Sequence, residues 1–286
     1  AAWMASAAKD LGHDLAKAIS LARSGRSGPV HVSLPSDLLE AKFEDGPHLY
    51  PDAKAFAPQR INLPDAAARE VWQLVLAARR PLLLAGPAMC TPRGRVHLDT
   101  AAAALGVPVI GMESPRGIND PGLGAFADIL KEADLIVLLG KPHDFTLRFC
   151  EPPVVSASAR FIVLDPDPEM IQRVVREKAA RVAYTAVADT DAAMAQFDGF
   201  PRHSARAWQR EADEALALRP GHGAEVGTQS GAIHPVQVMQ AVQAALDKNR
   251  SSIFISDGGE IGQWAQACVA SRRRLINGVA GSIGAA

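Results

Sequence analysis

Short, almost wholly apolar segments alternate with helical patterns through the middle of the chain, and this rhythm constrains the fold more than any other feature. Apolar runs predict strands at 81–85, 107–111, 135–139, 161–164 and 182–187. Periodic patterns predict helices at about 93–105, 125–132, 169–177 and 190–197. Strands that are apolar on both faces are typical of a parallel sheet covered by helices on both sides. The sequence therefore predicts an α/β protein with a three-layer, Rossmann-like sheet.

The stretches on either side of this rhythm predict further units. The N-terminal part holds one amphipathic helix and the short strand signal "GPVHVSLP", which is typical of the end of an α/β unit. Four prolines then exclude regular helix. A later stretch has one polar helix and a glycine-rich end, after which a helix and the strand "SSIFISD" begin another α/β unit. The predicted divisions are 1–45, a linker at 46–64, a central domain at 65–200, a linker at 201–232, and 233–286.

Charge, cysteine content and motifs exclude several classes. Lys plus Arg (30) nearly cancel Asp plus Glu (31), so no broad field attracts nucleic acid or an anionic membrane, and neither partner is expected. Three well-separated cysteines favour a reducing compartment, and the expected location is cytoplasmic. The sequence lacks GxSxG, HExxH and GxxxxGK[ST], and its histidines show no ligand spacing. Hydrolases, zinc enzymes and P-loop kinases are therefore disfavoured.

A doubly wound sheet places its ligand crevice at the carboxyl ends of its strands, here in the loops that start at Gly86, Gly111, Gly140 and Asp165. Gly86 either lets a nucleotide approach the backbone or serves as a strand-to-helix turn. The carboxylates of Asp165 and Asp167 are suited to ribose hydroxyls or an adenine amino group.

Other residues near these strand ends have a structural interpretation as well as a ligand-binding one. Asp167 or Pro168 is suited to begin the next helix. Lys141, His143 and Arg148, in the loop "GKPHDFTLRF", face either phosphates or water.

The last segment, "SDGGEIGQWAQACVASRRRLINGVAGSIGAA", contains two glycine-rich turns, each after a strand signal. In the first turn, the helix from Glu260 directs free backbone N–H groups toward Asp257-Gly258-Gly259, which suits a diphosphate. Two tight turns in an ordinary α/β protein have the same pattern.

Three ordered segments together resemble one family. They are "RSGRSGPVHVSLPSDLL", "ARRPLLLAGPAM" with its continuation to "FIVLDPDPEMI", and "IFISDGGEIGQWAQACV" with its continuation to "GVAGSIGAA". The chain resembles the thiamine-diphosphate enzymes of the acetolactate synthase, benzaldehyde lyase, oxalyl-CoA decarboxylase and 2-hydroxyacyl-CoA lyase group. The resemblance implies the end of a pyrimidine-binding domain, a central domain, and the start of a diphosphate-binding domain.

The resemblance implies thiamine diphosphate and Mg²⁺ as cofactors of the full-length protein. Gly259, Glu260 and Ile261 would contact the diphosphate, and Gly281, Ser282 and Ile283 the aminopyrimidine side. The implied reaction makes or breaks a C–C bond next to a carbonyl through a thiazolium ylide, as in a carboligase, a 2-hydroxyacyl lyase or a 2-oxoacid decarboxylase. Its substrate would be a 2-oxo acid, an aldehyde or a 2-hydroxyacyl-CoA.

The same resemblance implies a full-length homodimer or homotetramer. The family's activating glutamate and the GDG-to-Asn motif that holds Mg²⁺ match no position in this sequence, so no catalytic or metal residue is assigned. We therefore expect an internal fragment that is inactive alone.

In the central domain, the family positions for a nucleotide are Arg26, Gly86, Gly140 and Asp165, with FAD, ADP or the nucleotide end of CoA as the ligand. The loop "GKPHDFTLRF" is nearer the acyl-CoA lyase pattern than that of FAD-binding acetolactate synthases. One alternative is a nucleotide-binding or purely structural Rossmann-like module without catalytic activity. Another, an NAD-dependent dehydrogenase, is weakened by the missing GxGxxG.

Overall fold

The computed structural model describes residues 1–219, 233–249 and 251–276. The strands are β1 (Ala2–Met4), β2 (His31–Ser33), β3 (Pro81–Ala85), β4 (Val109–Gly111), β5 (Leu135–Leu139), β6 (Arg160–Asp165), β7 (Val182–Val187), β8 (Phe254–Ser256) and β9 (Arg274–Ile276). The helices are α1 (Leu11–Arg23), α2 (Ser36–Glu40), α3 (Asp65–Ala77), α4 (Pro92–Leu105), α5 (Phe126–Glu132), α6 (Pro168–Lys178), α7 (Thr190–Phe197), α8 (Arg206–Ala217), α9 (Pro235–Lys248) and α10 (Gly259–Cys268). In these three stretches, no helix has the length and apolarity that crossing a bilayer requires.

Strands β3 to β7 form one parallel sheet of five strands in the order β4-β3-β5-β6-β7. The predicted α/β class with a parallel central sheet is confirmed. Successive side chains on a strand point to opposite faces, so alternate residues of β3 enter different cores. Leu83 packs in one core, and Leu82 and Leu84 pack in the other.

Helices cover both faces of this sheet. The core on one face is completed by buried side chains of α3, α4 and α7, including Trp72 and Phe197. The opposite core is completed by α5, α6 and α8, including Phe126. This three-layer arrangement buries the strands on both faces, which accounts for their continuous apolar runs.

Helix α8 is the polar helix that the sequence predicts between 201 and 232, and in the structure it is packed against the central sheet. Trp208 is only 3% exposed and Ala212 is fully buried in the core shared with α5 and α6. The indole Nε1 of Trp208 donates a hydrogen bond of 2.7 Å to the carbonyl oxygen of Pro81, at the start of β3. The polar residues of α8 lie on its outer face, which is why the helix is polar on average.

Replacing Trp208 by alanine is expected to lower the free energy of unfolding by about 3–5 kcal/mol, because a large buried side chain and its hydrogen bond are lost together. Urea denaturation followed by circular dichroism measures the change. Leu218→Ala is the matched control, because Leu218 is 60% exposed just beyond the same helix. Equal effects of the two substitutions would show that α8 does not stabilise the sheet.

Smaller parallel pairs flank the central sheet. Strands β1 and β2 pair with each other and lie against α1, while β8 and β9 pair with each other and lie near α9 and α10. The sequence does not predict β1, since a run of only three residues gives no periodicity. Within each pair, the two strands end at the same edge.

Candidate functional site

The carboxyl edge of the central sheet is the first candidate site. Strand β3 lies between β4 and β5. After β3 the chain forms β4 on one side of it and then crosses to form β5 on the other side. In sheets of this kind ligands bind at such a switch point. Gly86 follows β3 and Gly140 follows β5, which places both predicted glycines at the switch point.

Gly86 is needed there for a steric reason. A β-carbon at this position would lie 2.1 Å from the carbonyl oxygen of Gly140, far inside van der Waals contact. The backbone N–H of Gly86 also donates to Leu139, at 2.9 Å. This close approach accounts for the glycine without a ligand, so nucleotide contact by Gly86 stays a prediction.

Arg26 and Asp165 meet at the same edge although 139 residues separate them in the sequence. The guanidinium of Arg26 makes a two-pronged contact with the carboxylate, with Nε 3.1 Å from Oδ1 and Nη2 2.7 Å from Oδ2. Nη2 also donates to the carbonyl oxygen of Gly140 at 3.3 Å. The structure therefore brings all four predicted nucleotide residues together.

The carboxylate of Asp165 is already occupied in this arrangement. Its side chain is 2% exposed, and Oδ1 accepts a second hydrogen bond from the backbone N–H of Asp167 at 2.9 Å. A ribose hydroxyl would have to share or displace the guanidinium of Arg26. Asp167 itself caps α6 by accepting from the N–H of Glu169, and Pro168 is the first helical residue, which confirms the capping alternative.

A cleft of about 1020 Å³ opens beside this ion pair. Its volume is at the upper end of the range usual for small-molecule pockets. The N-termini of α4 and α7 point into it, and Thr91 caps α4 by accepting from the N–H of Gly94 at 3.1 Å. Helix N-termini and cationic side chains both favour an anion. The charged and histidine side chains that line the cleft are Arg23, Arg26, Arg60, Arg93, His97, Asp189 and Asp191.

The sequence does not predict most of these lining residues. Arg23 and Arg60 lie outside the predicted central domain, and nothing in their local sequence indicates where they fold. The Thr91-Pro92 pair is different, because a threonine followed by proline is a typical helix start. Placed just after β3, that signal could have located the N-terminus of α4 at the carboxyl edge.

Lys141 and His143 differ from expectation. Lys141 is buried, donates to the hydroxyl of Thr146 and lies 3.5 Å from the carboxylate of Asp144. Burial lowers the pKa of Lys141.

The imidazole of His143 is buried beside the rings of Phe149 and Phe161. Burial also lowers the pKa of His143. The prediction that these side chains face phosphates or water is therefore wrong for Lys141 and His143, while Arg148 is exposed.

The N-terminus of α10 is the second candidate site. Gly258 is the capping position, and the carboxylate of Asp257 accepts its N–H at 2.8 Å. Gly259 has a φ of +76°, and a β-carbon there would meet nothing within 4 Å among the described atoms. Glu260 is exposed, and Ile261 is 55% exposed. The turn therefore presents an open surface.

Backbone N–H groups in the first turn of a helix have no partner within the helix. Within the described ranges, no side chain caps α10. Such a terminus is suited to a phosphate through its N–H groups and its dipole. The carboxylate of Glu260 would repel a phosphate, so the expected contact at this position is the backbone.

The remaining predicted residues of this site, Gly281, Ser282 and Ile283, lie outside the described residues. Strand β9, which precedes them in the chain, pairs with β8 so that Ile276 lies opposite Ser256. Parallel strands end at the same edge. The chain therefore leaves β9 at the edge where Asp257 and Gly258 follow β8.

The fold and these two edges define an α/β protein. It has a nucleotide-sized cleft at the edge of its central parallel sheet and an open helix N-terminus beside the smaller β8–β9 sheet. No family model matches the chain. Curated relatives nevertheless cover it.

2-Hydroxyacyl-CoA lyase 2 of Homo sapiens is 27% identical over 96% of this chain and 50% of its own length. The large subunit of acetolactate synthase isozyme 1 of Escherichia coli is 27% identical over 96% of this chain and 49% of its own. Oxalyl-CoA decarboxylase of Escherichia coli is 28% identical over 60% of this chain and 31% of its own. These are enzyme names of the thiamine-diphosphate group that the motifs resemble, so that resemblance is confirmed. The chain spans about half the length of the first two relatives.

Proposed function

We propose that this chain is part of a thiamine-diphosphate-dependent enzyme that makes or breaks a C–C bond next to a carbonyl. The observation that carries the proposal is the open N-terminus of α10, where Gly259 is left-handed and the first-turn N–H groups are directed away from the helix. The relatives support it, because two of them span this region within matches that cover 96% of the chain.

The residues of the turn fit a diphosphate. The backbone N–H groups of Gly259, Glu260 and Ile261 would hold it, and the open space beside Gly259 leaves room for its oxygens. Gly281 and Ile283 are proposed to hold the aminopyrimidine through backbone groups, with the side chain of Ile283 as an apolar support. Once bound, the thiazolium would supply the electron sink for carbanion chemistry.

Magnesium is proposed only for the full-length protein. Within the described ranges, no group of three or more His, Cys, Asp or Glu residues could hold a metal ion. The role proposed for this chain's own residues is to bind and orient the diphosphate.

For the cleft at the carboxyl edge, we propose the nucleotide end of CoA, or ADP, as the ligand. Arg23 and Arg93 add positive charge to the cleft that the N-terminus of α4 also lines, which suits phosphate groups. The 2-hydroxyacyl-CoA lyase and oxalyl-CoA decarboxylase names of two relatives support an acyl-CoA substrate. Acetolactate synthase-like carboligation remains the second candidate, supported by the third relative.

Gly259→Ala tests the diphosphate site in the full-length protein that carries this chain. We expect the Kd for thiamine diphosphate, measured by isothermal titration calorimetry with Mg²⁺, to rise at least about tenfold, or about 1.4 kcal/mol. The left-handed turn would no longer be favourable for the new residue, and its methyl group would enter the open side.

Gly199→Ala is a closely matched control. Gly199 has a φ of +86° and, among the described atoms, open space where a β-carbon would be. An alanine there has the same left-handed backbone cost as at Gly259, but it lies outside the proposed diphosphate site. Its Kd should stay unchanged. A wild-type protein that binds ADP but no thiamine diphosphate would contradict the proposal and favour a nucleotide-binding module without catalytic activity.

A further inference from the structure

A short loop after β4 joins the central sheet to the C-terminal part of the chain. We call residues 113–116, Glu113-Ser114-Pro115-Arg116, the β4 loop. Its side chains make three contacts across this boundary. The contacts are Arg274 Nε to Glu113 Oε1 at 2.7 Å, Ser114 Oγ to Gln266 Oε1 at 3.2 Å, and Arg116 Nη2 to the carbonyl oxygen of Gly259 at 3.4 Å.

The first two contacts are well shielded from water. The carboxylate of Glu113 also forms an ion pair with Arg95 of α4, so one acidic group joins two guanidinium groups from different parts of the chain. Ser114 is 4% exposed and Gln266 is 5% exposed. Partly buried, charge-assisted contacts of this kind are stronger than surface pairs. They fix β9 and α10 against the sheet.

The β4 loop is itself fixed on the sheet side. The backbone N–H of Gly117 donates to the carbonyl oxygen of Ser114 at 3.0 Å, and the hydroxyl of Ser114 accepts from the N–H of Arg116 at 3.3 Å. Gly117 also packs directly on the carbonyl of Thr146, in the loop after β5. Arg116 therefore extends from a rigid base toward α10.

The third contact controls the direction of a peptide group. The carbonyl of Gly259 and the N–H of Glu260 belong to the same planar, trans peptide, so they point in opposite directions. A hydrogen bond that holds the carbonyl fixes the direction of the N–H as well. That N–H is one of the groups proposed above to bind the diphosphate.

We propose that Arg116 is a positioning residue for the cofactor, which orients the Gly259–Glu260 peptide so that its N–H is directed toward the diphosphate. This inference rests on the proposed function. The guanidinium of Arg116 contacts the first residue of α10 directly. Its Nη1 is buried without a hydrogen-bond partner in the described structure, so the contact with Gly259 is the one through which the group acts on α10.

Two measurements on the full-length protein test this role. The first is the Kd of thiamine diphosphate by calorimetry, which should rise about tenfold in Arg116→Ala. The second is hydrogen–deuterium exchange of a peptide covering 257–262 in the cofactor-free protein, which should become faster in the same variant. Arg116→Lys should recover part of both effects, because an ammonium can still donate to the carbonyl. The midpoint of urea denaturation distinguishes this role from a purely structural one. A positioning arginine changes the exchange of 257–262 and leaves the midpoint in place, whereas a purely structural arginine lowers the midpoint as well.

Arg210→Ala is the matched control, because Arg210 is exposed on α8, and neither readout should change. A wild-type protein that binds thiamine diphosphate, with an Arg116→Ala variant equal to it in both affinity and exchange, would overturn the inference alone. A wild-type protein that binds no thiamine diphosphate would overturn the proposed function and this inference together.

Discussion

Replacing Gly86 by alanine is expected to lower the free energy of unfolding by about 3 kcal/mol, because the new methyl group has no space. Its carbon would lie 2.1 Å from the oxygen and 2.7 Å from the carbon of the Gly140 carbonyl, and 3.1 Å from the nitrogen of Lys141. All three atoms are backbone, so no side chain can rotate away. The ends of β3 and β5 would have to separate. That would break the hydrogen bond from the N–H of Gly86 to the carbonyl oxygen of Leu139.

Urea denaturation of wild type and variant measures this loss. Gly28→Ala is the control, since a β-carbon at Gly28 would lie 3.8 Å from its nearest neighbour, the carbonyl oxygen of Arg26, in ordinary contact. The same separation would move Gly140 away from Arg26, so ADP affinity should fall in Gly86→Ala and not in the control. A Gly86→Ala variant as stable as Gly28→Ala would contradict the tight packing of the switch point.

The strands of the central sheet could be predicted because their signal is local. Strands β3 and β5 begin and end at the predicted residues, 81–85 and 135–139, since each is a continuous apolar run with a glycine directly after it. Burial on both faces removes any alternation that could blur the ends. The helices between them agree to within one residue at most ends, because caps such as Asp167-Pro168 are also local.

The features that the sequence does not predict depend on contacts between side chains. Some of these partners are distant in the sequence, and others allow a polar side chain to be buried. Lys141 and His143 carry polar groups, which favours exposure, yet both are buried. Lys141 forms an ion pair with Asp144. The sequence spacing alone does not indicate that the two side chains meet inside the protein. The contact of Arg26 with Asp165 joins segments 139 residues apart, and no pattern within either segment predicts it.

The glycines show the same limit in another form. The sequence leaves both Gly86 and Gly259 open between a turn and a ligand site. The structure separates them, because Gly86 is required by a neighbouring backbone whereas Gly259 borders open space. At Gly86 packing is a sufficient explanation, and at Gly259 only the left-handed backbone requires glycine. The stronger candidate for ligand contact is therefore Gly259.

Replacing Gly117 by alanine is expected to lower the free energy of unfolding by about 2–5 kcal/mol, because two separate costs add at this position. Its φ of +56° is left-handed, which costs a side chain about 1–2 kcal/mol. Its β-carbon would also lie 1.9 Å from the carbonyl oxygen of Thr146, which adds about 1–3 kcal/mol of overpacking and local distortion. Both costs fall on the base of the β4 loop.

Gly199→Ala separates the two contributions, because it has the left-handed backbone without, in the described structure, any neighbour in the way. The difference between the urea-derived free energies of the two variants is the cost of the contact with Thr146. If the two variants lose equal stability, the β4 loop is not held by Thr146. Since Arg116 directly precedes Gly117, a displaced loop should also withdraw the guanidinium from Gly259. Thiamine diphosphate affinity is therefore expected to fall in Gly117→Ala even under conditions where the variant remains folded.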